Sequence, residues 1–221
     1  EALAGVAEQA IAGVAGCIVD AGAGTGEHLA AVLDRLPGRL GLALDLSKHA
    51  AQRAARAHAH IGAVVCDAWG RLPVRDGVAA AVMSVFAPRN AAEFARVLAP
   101  GGALVVATPN PGHLAALVTA LGMLSVDPLK EARLETALGG RFRRAGSVLV
   151  KRELLLCRDD ALAAALMGPS AHHLTAAEVE GHDTSDPARF VWREWPTANG
   201  YVRNDEGLVL CKVYKTLPAK R

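Results

Sequence analysis

Aromatic residues are scarce in this 221-residue chain; Phe, Trp and Tyr together make up 4%. A platform on which successive bases stack is therefore poorly supplied. The four cysteines, Cys17, Cys66, Cys157 and Cys211, lie far apart and form no C-x-x-C pair. That spacing excludes a zinc ribbon and leaves no metal site to expect; free core thiols in a reducing cytoplasm are the expectation. No basic stretch leads into an apolar run at the start, so no signal peptide is expected. The chain opens at Glu1 rather than Met, which points to a preceding segment outside this sequence. The stretch Val97 to Val126 has no Asp, Glu, Lys or Arg, yet Pro100, Gly101, Gly102, Pro109, Pro111 and Gly112 cut it into strand-sized and helix-sized pieces. A membrane span is thereby excluded. Internal repeats and low-complexity linkers are also lacking. The net charge of +2 permits a nucleic-acid partner without requiring one.

What is present is an alternation of apolar runs and amphipathic segments. "CIVDA", "RLGLALDLS", "IGAVVCDA", "GVAAAVMSVFAP" and "ALVVATP" read as five strands. Between them stand "TGEHLAAVLDRLP", "KHAAQRAARAH" capped by Ser47, and "NAAEFARVLAPGG", all with helical spacing. "GHLAALVTALGML" reads as a further helix. After Asp127 come a helix, a turn and a long strand, and "GLVLCKVYK" reads as a last one. Strands apolar along their whole length are buried on both faces, as in a parallel sheet between helical layers. The expected fold is α/β, a doubly wound, mostly parallel, seven-stranded sheet in a single domain over 1–221. Ligand sites belong at the carboxyl ends of its strands.

The stretch "IVDAGAGTGEH" carries the chemistry. Gly22, Gly24 and Gly26 follow the first strand, one residue short of the dinucleotide spacing at the third glycine. Asp20 stands just before them, where a carboxylate repels a pyrophosphate and favours a cationic ligand. S-adenosylmethionine is such a ligand, with a sulfonium, an ammonium and no phosphate. Glycines without Cβ atoms let the backbone lie against it. Asp45, closing the second strand, is placed to accept both ribose hydroxyls, and Asp67, closing the third, to accept the adenine amino group. Ala23, Leu46, Ala68 and Val85 complete the expected lining, with His28 on the methionine side or simply on a helix surface. A tight strand–helix turn with no ligand is the plain alternative.

The pattern D-x-G-x-G-x-G with acids at the next two strand ends resembles the class I S-adenosylmethionine-dependent methyltransferases. Further along, "LPVRDGVAAAVMSVFAPRN", "EFARVLAPGG", "TPNPGHLAAL" and "MGPSAHH" resemble the 23S rRNA guanine-N1 methyltransferases of the tylosin-resistance type, over roughly Ile18 to His173. The resemblance implies in-line methyl transfer, in which positioning does most of the catalysis, and a link to macrolide resistance. It implies acceptor-side roles for Arg89, Asn90, His113 and His173. Arg89 would hold guanine O6 or a phosphate, or be a solvated loop charge. Asn90 would read the base edge, or cap the following helix. A histidine would take the N1 proton, or merely start a helix.

A basic strip runs from Lys130 to Arg158, eight Lys or Arg against three Glu, with Arg141, Arg143, Arg144, Lys151 and Arg152 at its centre. It is an expected contact for RNA phosphates, or a solvated face. Two departures from the resembled family stand out. Its members carry a cysteine-rich zinc module ahead of the methyltransferase domain, and these residues hold none. The polar stretch Gly181 to Glu206 is unlike the family's usual helix and fits an acceptor-side lid at about 158–206. Two other readings stay open: a small-molecule methyltransferase of the same fold, and a non-catalytic cofactor-binding protein.

Overall fold

The computed structural model describes residues 2–115, 117–118, 123–156, 163–164 and 202–217. Its elements are α1 (Ala2–Ala10), β1 (Cys17–Ala21), α2 (Glu27–Arg35), β2 (Gly41–Asp45), α3 (Lys48–Ala57), β3 (Ile61–Val65), β4 (Ala79–Val85), α4 (Ala91–Val97), β5 (Leu98–Pro109), α5 (Lys130–Gly139), β6 (Phe142–Leu156) and β7 (Val202–Thr216). The seven strands form one sheet in the order β3-β2-β1-β4-β5-β7-β6. The β1–β2, β2–β3, β1–β4 and β4–β5 pairs are all parallel. The expected doubly wound sheet is therefore present.

Two cores flank it, and the alternation along β1 assigns them. Ile18 packs with Ala4 and Ala7 of α1, Ile11 of the turn after it, and Leu29, Val32 and Leu33 of α2. Val19 points the other way, into Phe94 and Val97 of α4, Leu134 and Leu138 of α5, and Tyr214 of β7. In α2 the buried residues Leu29, Val32 and Leu33 recur at helical spacing, which is why this segment winds as a helix and docks on one stripe. Ser47 Oγ accepts from Ala50 N at 3.3 Å and starts α3, as its position before the helix predicts.

Not every apolar strand is buried on both sides. β3 is the sheet edge, and its Gly62, Val64 and Val65 are exposed. It also stops at Val65, so Asp67 lies on the following loop rather than at a strand end. Cys17 and Cys66 are half-buried free thiols and Cys211 is a buried one; burial pushes all three above the usual thiol range. Cys157 and most of the helix expected over "GHLAALVTALGML" fall outside the described residues. No described helix is long and apolar enough to cross a membrane.

The chain divides into two compact units. The first comprises 1–108, 129–149 and 210–221; the second comprises 109–128 and 150–209. The first holds the glycine loop, the three acids and Arg89. The second holds His113 and the segment expected to be a lid, nearly all of which lies outside the described residues.

Candidate active site

Because β2 and β4 lie on opposite sides of β1, the winding direction reverses at β1, and a crevice opens there at the carboxyl ends. The glycine loop lies on one side of it. The loop after β4, Phe86 to Asn90, lies on the other.

The three glycines differ in what they do. Gly22 has φ +78°, and a Cβ on it would lie 2.5 Å from Ala87 Cβ. It is a glycine because the β4 loop crosses it. Gly26 is the N-cap of α2 with φ +82°, and its Cβ would lie 2.9 Å from both Cα and Cβ of Ala54 in α3. It is a glycine because α3 packs on it. Gly24 has φ +55° and open space within 4 Å of the position a Cβ would take. Backbone approach to a ligand therefore explains Gly24 alone, not all three as the sequence pattern suggested.

Asp45 fastens this loop. Its Oδ2 accepts from Gly24 N and its Oδ1 from Ser47 N, each at 2.8 Å. Each oxygen keeps a second lone pair, which suits a diol. Asp20 is 1% exposed, and among the described residues its Oδ1 has no hydrogen-bond partner. Burial, reinforced by the nearby Asp45 charge, pushes its carboxyl up to about 7. An unpartnered buried carboxylate is costly and calls for a donor or a cation. Asp67 Oδ1 accepts from Trp69 N at 2.9 Å and rigidifies the loop after β3, with its side chain exposed. Ala23 and Ala68 are buried, Val85 is half-buried, and Leu46 is 72% exposed. His28 stands exposed on the first turn of α2, with partial burial drawing its imidazole below the usual range.

Across the crevice, Ser84 is buried in β4 and its hydroxyl donates to Pro88 O at 3.3 Å and Ala87 O at 3.5 Å. That brace folds the loop back. Phe86 takes φ +53°, a strained conformation for a bulky side chain, and is 52% exposed. Arg89 is half-buried with its Nε buried and without a partner among the described residues; desolvation draws its guanidinium below the usual range. Asn90 caps α4: its Oδ1 accepts from Glu93 N at 3.3 Å, and its Nδ2 donates to Trp69 O at 2.9 Å and Gly70 O at 3.0 Å. The amide is used on backbone, so the cap alternative describes it. His113 is half-buried in the second unit, and its backbone N–H donates to Asn110 O at 2.8 Å. His173 lies outside the described residues.

The basic strip does not present one face. Arg144 pairs with Glu131 at 3.2 Å and Glu135 at 3.5 Å. The preceding residue along the strand points to the other side of the sheet, and there burial, with the Arg143 charge added to it, lowers the affinity of the Lys215 ammonium for its proton. Arg141 and Lys151 are exposed. Arg152 continues β6, and its side chain is outside the description.

Phe86, Ser84 and Trp69 escape a reading by motif. Phe86 gives no signal, because left-handed backbone is not expected at phenylalanine. Ser84 looks like any residue of an apolar strand.

These residues fit a phosphate-free cationic cofactor. The buried oxygen of Asp20 offers the charge, the space beside Gly24 the room, and Asp45 the acceptors for a diol.

The comparisons with known proteins agree with that fit. A family model described as a methyltransferase domain matches residues 18–102. A Streptomyces fradiae protein, 23S rRNA (guanine(748)-N(1))-methyltransferase, is 48% identical over 180 residues, 81% of this chain and 64% of that protein. A Micromonospora griseorubida protein, given provisionally the name 23S rRNA (guanine-N(1)-)-methyltransferase, is 54% identical over 162 residues, 73% of this chain and 55% of its own length. The chain thus spans less than two thirds of either relative. A Thiobacillus denitrificans S-adenosylmethionine-dependent methyltransferase, solved with S-adenosyl-L-homocysteine, shares the fold at a TM-score of 0.53 and 18% identity, over 98% of this chain and 90% of that one. By fold, glycine loop and sequence, the chain is similar to the class I S-adenosylmethionine-dependent methyltransferases and, among them, to the 23S rRNA guanine-N1 enzymes.

Proposed function

We propose that the chain is the methyl-transferring part of an enzyme that methylates N1 of a guanine in 23S rRNA. The observation that carries the reading is the pairing of an unpartnered buried Asp20 oxygen with open space at Gly24, at the point where the sheet reverses. Two relatives named for that activity supply the acceptor class.

Bound S-adenosylmethionine supplies an electrophilic methyl group on a sulfonium. The residues of this chain do the rest. Asp20 carries the negative charge that a cationic ligand neutralises. Asp45 holds the glycine loop by Gly24 N and keeps lone pairs for ribose hydroxyls. Asp67 supports the adenine end from its loop. Arg89, held on the braced loop after β4, donates to guanine O6. Drawing charge toward O6 makes the N1 proton easier to remove. That proton must leave as the N1–methyl bond forms, and His113 and His173 are the candidate acceptors that the resemblance supplies. The basic residues Arg141, Arg143 and Lys151 are the proposed phosphate contacts, with Arg144 withdrawn into its pairs with glutamate.

Transfer of labelled methyl from S-adenosylmethionine to 23S rRNA, with the modified base identified by mass spectrometry, tests the reading. Label at guanine N1 that falls at least tenfold in Arg89→Ala, with cofactor affinity unchanged, is the expected result. Label appearing only in a small-metabolite pool would replace the rRNA acceptor with a small molecule.

A further inference from the structure

The segment between β3 and β4, residues 67–77, holds no regular structure, yet it is tied down along its length. Asp67 Oδ1 accepts from Trp69 N at 2.9 Å, and Asp67 O accepts from Gly70 N at 3.1 Å. Asn90 Nδ2 donates to both Trp69 O and Gly70 O. Glu93 Oε2 accepts from Leu72 N at 2.8 Å. Arg96 donates to Leu72 O at 3.1 Å and to Val74 O at 2.8 Å, and its own carbonyl accepts from Gly77 N at 3.0 Å. Arg96 is itself held by Glu93 and by Asp76. The three residues responsible recur at i, i+3 and i+6, so they share one face of α4 and its cap. Leu72 is buried beneath them.

A segment fixed at this many backbone groups presents its side chains in set positions. Those it presents are an indole and two guanidinium groups. Trp69 is 66% exposed, and Arg71 and Arg75 are exposed. Neither arginine donates a side-chain hydrogen bond among the described residues. This contrasts with Arg144, whose charge is committed to two glutamates. Among the other described aromatics, Phe94, Phe142 and Tyr214 are buried, and only Phe86, on the loop after β4, is also exposed. Through Asn90, the segment is also fixed to the loop that carries Arg89.

We propose that residues 69–75 form a contact for single-stranded RNA, with Trp69 stacking on an unpaired base next to the target guanine and Arg71 and Arg75 meeting its flanking phosphates. An aromatic face combined with exposed guanidinium groups is the chemistry that holds single strands. The inference rests on the rRNA reading above and adds where the strand is gripped.

Binding of a single-stranded 23S rRNA fragment to the full chain, followed by anisotropy across a salt series, tests it. Trp69→Ala should weaken binding roughly fivefold to a hundredfold, and Trp69→Phe should restore most of it. Arg71→Ala with Arg75→Ala should lower the salt slope by about 1.4, two single-strand phosphates' worth. The melting-temperature rise with S-adenosylmethionine should stay at the parent value in all three, which also shows that they fold. RNA affinity and slope equal to the parent's in every variant would overturn the inference while leaving the rRNA reading intact. Loss of the cofactor response in Trp69→Ala with RNA binding unchanged would also overturn it, and would assign the indole to the cofactor side. A parent that binds no RNA at any salt concentration sinks the rRNA reading itself, and this contact with it.

Discussion

Replacing the three loop glycines one at a time separates what the fold needs from what the ligand needs. At Gly24 an added Cβ meets no atom within 4 Å, so alanine there costs only its left-handed backbone (φ +55°), about 1–2 kcal/mol. In a chain of this size each kcal/mol lowers Tm by about 2–4 °C, so Gly24→Ala should melt about 2–8 °C below the parent. At Gly22 the same strain is joined by a Cβ 2.5 Å from Ala87 Cβ. Overpacking of that kind adds about 1–3 kcal/mol, for a total of about 2–5 kcal/mol. The corresponding loss is about 4–20 °C. Gly26→Ala belongs with Gly22→Ala, because Ala54 Cα stands 2.9 Å from the new atom and backbone cannot yield as a side chain can. The ligand response should rank the other way. S-adenosylmethionine at about 100 times its Kd stabilises the parent by about 2.7 kcal/mol, or about 5–11 °C. Gly26→Ala should keep that rise and Gly24→Ala should lose most of it. Scanning fluorimetry with and without S-adenosylmethionine, backed by calorimetric titration with S-adenosyl-L-homocysteine, reads both effects. A Gly24→Ala protein with the parent's full rise would refute the assignment of that space to the cofactor.

Four further outcomes are expected. Asp20 is raised to about 7 in the folded state, against about 3.9 when unfolded, so its contribution to stability is full below about pH 4 and lost as pH rises through 7; denaturant titrations from pH 5 to 8 should show that decline, and Asp20→Asn should remove it. A cationic cofactor stabilises the ionised carboxylate, so S-adenosylmethionine should bind more tightly as pH rises through the same window. Arg143→Ala should lower the RNA salt slope by about 0.7–0.9, whereas Arg144→Ala, already paired with Glu131 and Glu135, should leave it unchanged and cost under about 1 kcal/mol of stability. Asn90→Ala loses the α4 cap and two bonds to the Trp69–Gly70 backbone; about 2–3 kcal/mol should disappear in urea titration with the cofactor response retained.

The strands with unbroken apolar runs were legible because burial on both faces leaves no other pattern. β1 matches "CIVDA" residue for residue, and Ser47 and Asn90 both cap as their positions before helices suggest. β3 was legible as a strand but not as an edge. Its order in the sheet is fixed by pairing with β2 alone, which no local pattern encodes. The acids were legible by position, but their different roles were not. Asp45 became a loop clamp because Gly24 N and Ser47 N converge on it, while Asp20 was left with an unpartnered oxygen. The glycine pattern pointed to the site yet hid that Gly22 and Gly26 answer to Ala87 and Ala54, residues far away in sequence. Likewise the charge of the 130–158 strip could be counted, but its split between the two faces of β6 depends on Glu131, Glu135 and Lys215 lying where α5 and β7 put them.

The position of β7 between β5 and β6 has a consequence for how the molecule comes together. β6 precedes β7 in the chain but cannot reach the sheet without it. Until residues near 210–216 arrive, β5 presents an open row of unpaired amides and carbonyls, the kind of edge that recruits a second chain. Lys215 closes that period, since its ammonium bridges Ala10 O and Gly101 O at 2.7 Å each, joining the end of the first helix to β5. Such long-range closure slows folding, so this half of the sheet should be the part most exposed to misassembly during synthesis, and the part most in need of a chaperone.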